Sequence, residues 1–198
     1  MEFQISLIKA CLFNCILIAA CRSATCMVLS TWSTTPLEDV ARCSAPGLKW
    51  FQIDMFKRLD VVASVVKRAE LQGYKAIVVT VDMPYIGIRY NDKHNGFALP
   101  SNLSFDNIKS LFEDVEGSPT SEVDPTTADT HHDPSATWDI IGWFRTITEL
   151  PIVVKGILTA EDAKLAVQHG VDAIVVSSHG GRQLDGVPAT VSVNYCIY

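Results

Sequence analysis

Beyond Cys21 the chain repeats one pattern: a short apolar run of strand length, a few polar residues, then a segment with helical spacing. The runs are Met27-Leu29, Trp50-Ile53, Ala76-Val81, Pro151-Val154 and Ala173-Val176, and every interval except the third holds a helix-like segment of one to four turns. Strands alternating with helices predict a parallel α/β sheet, because parallel neighbours need a crossover between them. The clearest helix lies between the second and third runs. There Val61, Val62, Val65, Val66, Ala69 and Leu71 recur at helical spacing, Lys67, Arg68 and Glu70 stay outside, and Gly73 stops the helix. Another spans Thr159 to Gly170, with Thr159 as N-cap, Asp162 three residues on, and Gly170 as the C-terminal stop.

Two stretches break the pattern. Residues 100–134 are rich in Ser, Thr, Asp and Pro, include SPTSEVDPTTADTHHDPS, and carry neither hydrophobic period, so they read as a long mobile insertion of the kind that serves as a lid. His131 and His132 sit inside it as solvated loop residues, with no third ligand at a workable spacing for a metal. Residues 1–19 form an apolar N-terminal segment, interrupted by Lys9 and Asn14 and too short in its clean run to span a bilayer. It reads as a buried helix, as a secretory signal without a basic n-region, or as a start not native to the fold. The domain proper is then 20–198.

With 198 residues, 48% of them hydrophobic, the chain can bury one sizeable core, and a net charge of -6 argues against nucleic acid as a partner. The six cysteines form no CxxC pair and no Cys/His ligand spacing, so reduced thiols are expected rather than a zinc site or a disulfide scaffold.

Polar groups gather where the apolar runs end: Ser30 and Trp32 after the first, Gln52 and Asp54 in or after the second, Thr80 and Asp82 at the third, Lys155 at the fourth, Ser177 and His179 at the fifth. In a barrel of parallel strands the carboxyl ends share one pole, and the catalytic site is built there from several strands. The stretch SSHGGRQLDG, residues 177–186, delivers a histidine and an arginine to that pole among glycines that let backbone approach a ligand closely.

LSTWSTTPLEDVA, TVDMPYIGIR, PIVVKGILTAEDAKLAV and SSHGGRQLDGVPAT, in this order, resemble the FMN-dependent 2-hydroxy acid oxidases, which include glycolate oxidase and the L-lactate dehydrogenase domain of flavocytochromes. The resemblance covers about Ala20 to Thr190 and implies a partial (β/α)8 TIM barrel, strand units 2 to 6 of eight. It implies FMN as cofactor, a small (S)-2-hydroxy acid as substrate and oxygen or another acceptor for the electrons. His179 matches the active-site base and Asp82 its carboxylate partner, which favours the protonated imidazole. Arg182 and Arg89 match the clamps on the substrate carboxylate, where a guanidinium fork fits two oxygens, and Trp32 joins the substrate side. Lys155 matches the lysine that stabilises the anionic reduced flavin, and Ser30, Gln52, Thr80 and Ser177 match positions that bond its ring or ribityl chain.

The sequence also departs from that pattern. Asp54 stands where a substrate-binding tyrosine is usual, Phe56 where another tyrosine is common, and Gly96 where an arginine is usual. An ionised Asp54 at ~4 to 5 Å from an anionic substrate would oppose its binding by ~1 to 4 kcal/mol. No first strand unit is recognised, and the Asp-Gly-Gly and Gly-Arg segments expected to hold the FMN phosphate are not found before ATVSVNYCIY. An alternative is therefore a truncated pseudo-enzyme or interaction protein unable to hold FMN; a third is another phosphate-binding barrel, such as an aldolase or a flavin-dependent isomerase. The resemblance suggests a homo-oligomer, tetrameric in the family, and a peroxisomal location. Cys196-Ile197-Tyr198 is no peroxisomal address, which leaves the cytoplasm as the other expectation.

Overall fold

The computed structural model describes residue 16 and residues 18–43, 47–112 and 131–197. Residues 1–15 and 17 of the apolar start and 113–130 of the expected insertion lie outside the described residues. The elements are β1 (Met27–Leu29), α1 (Leu37–Cys43), β2 (Lys49–Asp54), α2 (Leu59–Leu71), β3 (Ile77–Thr80), α3 (Tyr90–His94), a 3-10 segment (Asp106–Leu111), α4 (Asp139–Ile147), β4 (Ile152–Ile157), α5 (Ala160–Gln168), β5 (Ala173–Val176), a 3-10 turn (His179–Gly181) and α6 (Thr190–Ile197).

The strands form one sheet in chain order, β1-β2-β3-β4-β5, and every pair is parallel. Since successive side chains alternate between faces, each strand divides its residues between two environments. On the outer face Leu29, Phe51, Ile53, Ile77, Val79, Ile152 and Val154 pack beneath Val40 of α1, Val62 and Val66 of α2 and Ile141 and Phe144 of α4, all within one buried core. On the inner face Ala76, Val78 and Val153 are buried together, with Trp50 against them. This is the wall of a partial (β/α)8 barrel: helices outside, an apolar inner floor, and carboxyl ends at one pole.

The helix caps follow the sequence. Thr159 Oγ1 accepts from the Asp162 N–H at 3.1 Å to open α5, and Gly170 leaves it at φ +74°. Leu71, assigned to the buried stripe of α2, is 73% exposed. Two residues beyond the buried Ala69 the helix has turned by roughly 200°, to the opposite face. The third interval, read as lacking a helix, contains α4, whose Ile141 and Phe144 are buried in the core.

The flanks of the expected insertion are also not loose. Asn107, 1% exposed, accepts from the Leu37 N–H at 2.8 Å and donates to the carbonyls of Thr31 and Ser33, tying the 3-10 segment to the loop after β1. His132 is no solvated residue: it is fully buried. The 131–133 segment runs antiparallel beside Phe56, with Lys57 N–H bonded to the His131 carbonyl at 2.9 Å and Asp133 N–H to the Met55 carbonyl at 3.0 Å. His131 is half-buried with its ring edge-on to Phe112, and burial, then the nearby His132 and Lys57, push its imidazole below the usual value.

Candidate active site

Strand register builds the site. Asp54 is paired with Thr80 and Thr80 with Lys155, so these three residues form one row across β2, β3 and β4 at the carboxyl end. Directly beneath runs the row Gln52, Val78, Val153. The parity that buries Ile53, Val79 and Val154 outside places this polar row inside, above the apolar floor.

Within β4 the register against β5 shifts between Lys155 and Ile157, leaving Gly156 as an extra residue in the strand at φ +118°. A Cβ there would stand 2.6 Å from Asp82 Cβ, so glycine is what lets Asp82 cross to Lys155 and His179. His179 itself takes a left-handed backbone, φ +56°, uncommon for a residue with a side chain and held here by the Ser177 hydroxyl, which accepts from the His179 N–H at 3.0 Å. The result is a compact triad. His179 Nδ1 lies 2.8 Å from Asp82 Oδ1, and Lys155 Nζ lies 3.4 Å from His179 Nδ1 and 3.9 Å from Asp82 Oδ1.

These distances assign a hydrogen to His179 Nδ1. A carboxylate only accepts and an ammonium only donates, so a single Nδ1 cannot serve both. The shorter contact is the bond: Nδ1–H donates to Asp82, and Lys155 stands beside it as a charge on the carboxylate. In the neutral imidazole Nε2 then keeps its lone pair, which makes it the atom able to accept a proton. Asp82 Oδ2 is buried without a hydrogen-bond partner among the described residues.

A second cluster surrounds Gln52. Its Nε2 donates to Asp54 Oδ1 at 2.7 Å and to Thr80 Oγ1 at 2.8 Å, while its Oε1 accepts from the Thr31 N–H at 3.2 Å. Trp32 Nε1–H donates to Asp54 Oδ2 at 2.6 Å. His132 stacks on Trp32 at 6.0 Å between ring centroids and holds Nε2 3.9 Å from Asp54 Oδ2. Asp54 is therefore not poised against a bound anion, as the sequence suggested: it is 2% exposed, and both oxygens accept from neighbouring N–H groups. The indole N–H of Trp32 is likewise spent on Asp54 rather than offered to a substrate.

Of the remaining expected residues, Ser30 is exposed and its hydroxyl accepts from the Trp32 N–H at 3.1 Å. Arg182 is exposed with its Nε bonded to the His179 carbonyl at 2.8 Å, which brings it beside the triad. Arg89 heads α3 on a separate loop. Gln183 joins the two arginine loops: its Oε1 accepts from the Gly87 N–H at 3.0 Å and its Nε2 donates to the Tyr85 carbonyl at 2.7 Å. Gly87 is required at that junction, because a Cβ would stand 2.2 Å from the Arg182 carbonyl oxygen. Sequence reasoning missed Thr31, Gln183 and the spacing role of Gly156, all three inside quoted motifs, and misread His132. A cavity of about 260 Å³ at this pole is lined by Thr80, Gly156, Pro134 and Trp138 among others, but not by His179, Asp82, Lys155 or Arg182. His179, Asp82 and Lys155 stand on the inner side of the sheet instead.

The donor set suits a flavin ring. Neutral amide and hydroxyl groups at Gln52 and Thr80 face inward beside an ammonium at Lys155, above an apolar floor of Val78 and Val153.

Comparison with known proteins agrees with this chemistry. The sequence profile of the FMN-dependent dehydrogenases matches residues 14–197. Over 182 residues the chain is 47% identical to 2-hydroxyacid oxidase 1 of Mus musculus, covering 89% of this chain and 49% of that protein. It is 45% identical over 177 residues to glycolate oxidase of Spinacia oleracea, covering 87% and 47%. A crystal structure of mandelate oxidase superposes with a TM-score of 0.78 at 35% identity, over 93% of this chain and 49% of the other. The chain spans about half the length of the curated relatives it matches.

Proposed function

The chain belongs to the FMN-dependent dehydrogenase family, and from that premise we propose that its inner sheet face oxidises a small (S)-2-hydroxy acid to the 2-oxo acid. The observation that carries this reading is the His179–Asp82 bond at 2.8 Å, which leaves Nε2 as a free base at the pole. Oxidising the alcohol to a ketone removes two electrons and two protons. His179 Nε2 takes one of those protons, and Asp82 and its Nδ1–H bond stabilise the resulting imidazolium. Arg182, held beside His179 by its bond to the His179 carbonyl, clamps the substrate carboxylate together with Arg89. When bound, FMN would supply the sink for both electrons and the remaining proton, with oxygen or another acceptor as the final oxidant. Gln52, Thr80, Ser30 and Ser177 would hold the ring and ribityl chain, and Lys155 would place positive charge beside the ring. A peroxisomal location and a tetrameric assembly accompany this reading.

A second reading, an interaction protein that no longer holds flavin, is favoured by one observation. Val28 and Val175, on the inner face of the outermost strands, are 46% and 36% exposed. Flavin retention separates the two. On the first reading the purified chain turns yellow with FMN, and Arg182→Lys raises KM for a 2-hydroxy acid by about 10-fold or more, because an ammonium cannot replace the fork. A chain that stays colourless with added FMN overturns the first reading.

A further inference from the structure

We infer that Asp54 is a positioning residue: it fixes which way the Gln52 carboxamide faces, and so sets the hydrogen-bond polarity that the inner face presents to a ligand. An amide side chain can face either way unless its partners are one-way groups. Here they are. The Thr31 backbone N–H only donates, so the atom it meets at 3.2 Å is the amide oxygen. A carboxylate only accepts, so the atom 2.7 Å from Asp54 Oδ1 is the amide nitrogen. Asp54 cannot swing aside, because its other oxygen is held at 2.6 Å by the indole N–H of Trp32, a group that only donates, and the side chain is 2% exposed.

The consequence is a defined surface. Both hydrogens of Gln52 Nε2 are used, one on Asp54 and one on Thr80 Oγ1 at 2.8 Å. Gln52 keeps one acceptor lone pair on Oε1. Thr80, having accepted, keeps its O–H to donate. The inner face thus offers an acceptor and a donor side by side, complementary to an imide-like edge in which an N–H adjoins a carbonyl. This deepens the flavin reading and rests on it for the ligand, but the amide orientation belongs to the chain alone. Asparagine at 54 would break it: one of its two terminal atoms is an NH2 group, so it cannot accept from both Trp32 and Gln52.

Two measurements test the inference. In the flavin-free, isotope-labelled chain, NMR should show a coupling across the hydrogen bond from Gln52 Nε2 to the Asp54 carboxyl carbon. The Gln52 amide or the Trp32 indole signal should move in Asp54→Asn. No coupling in the unmutated chain overturns the inference, even if Asp54→Asn does not fold. FMN titrations of the unmutated chain, Asp54→Asn, Gln52→Ala and the double variant then form a cycle. Asp54→Asn should weaken FMN binding by about 3- to 10-fold alone and leave it unchanged in the Gln52→Ala background. Equal losses in both backgrounds mean that Asp54 does not act through Gln52, and overturn it. If the unmutated chain binds no FMN, the functional reading fails and the NMR result alone decides this one.

Discussion

Gly156 carries the site's tightest geometric demand. Its φ of +118°, and the mere 2.6 Å that would separate a Cβ at this position from Asp82 Cβ, leave no room for any other residue. Gly156→Ala is expected to cost about 2–4 kcal/mol, from backbone strain plus displacement of Asp82, measured by denaturant unfolding. On the proposed function, Asp82→Asn keeps the shape but removes the negative charge beside His179 Nδ1. It should lower kcat by about 10²- to 10⁴-fold with little change in KM, read from steady-state rates. Lys155 was legible as the polar residue that ends an unbroken apolar run, the mark of a strand end, whereas His179, two serines beyond such a run, stood out only through the resemblance carried by SSHGGRQLDG. His132 was not, since the groups that bury it, Trp32 and Phe56, lie far away in the chain and its own neighbours are polar. Asp54 was misjudged for a related reason: its position predicted its face, but not the two N–H groups that take up its charge.

Among the helices, α1 and α2 are joined by a fork between Arg68 and Glu38, with Nε–Oε1 at 2.7 Å and Nη2–Oε2 at 3.0 Å. The Arg68 bond holds the Glu38 carboxyl below its ordinary value. A depressed carboxylate stabilises the fold above its unfolded value, about 4.3, and that contribution is lost as pH falls through the lower folded value. Glu38→Gln should therefore lower stability near pH 7 by at most about 1 kcal/mol, since both side chains are a third exposed, and should flatten the decline in thermal midpoint on the acid side. At the start of α5, Thr159→Ala removes the cap on the Asp162 N–H and should cost about 1 kcal/mol by the same unfolding measurement. Helices α2 and α5 were readable because their apolar period and stop signals agree. Helix α4 was not, since Gly142 interrupts its run and a long polar stretch precedes it, so only packing of Ile141 and Phe144 on the sheet reveals it.

Five parallel strands present one covered face and one open face, and the row Asp54, Thr80, Lys155 lies on the open one. Val78 and Val153 at its centre are each 2% exposed, whereas Val28 and Val175, on the same face of the outermost strands, are 46% and 36% exposed. A ligand seated over the central floor should stabilise the fold by mass action. At 100 times its dissociation constant FMN would add about 2.7 kcal/mol, a rise of about 5–10 °C in thermal midpoint for a chain of this size. The parallel strands, and the carboxyl pole where polar residues gather, were readable from the apolar runs and the residues that end them. The most direct test of the account is the colour change of the FMN-treated chain when a small 2-hydroxy acid is added without oxygen. The yellow absorbance should bleach in the unmutated protein and persist in His179→Asn, a substitution chosen because asparagine tolerates the left-handed backbone at 179. Bleaching at the same rate in both proteins, or none in either, would contradict it.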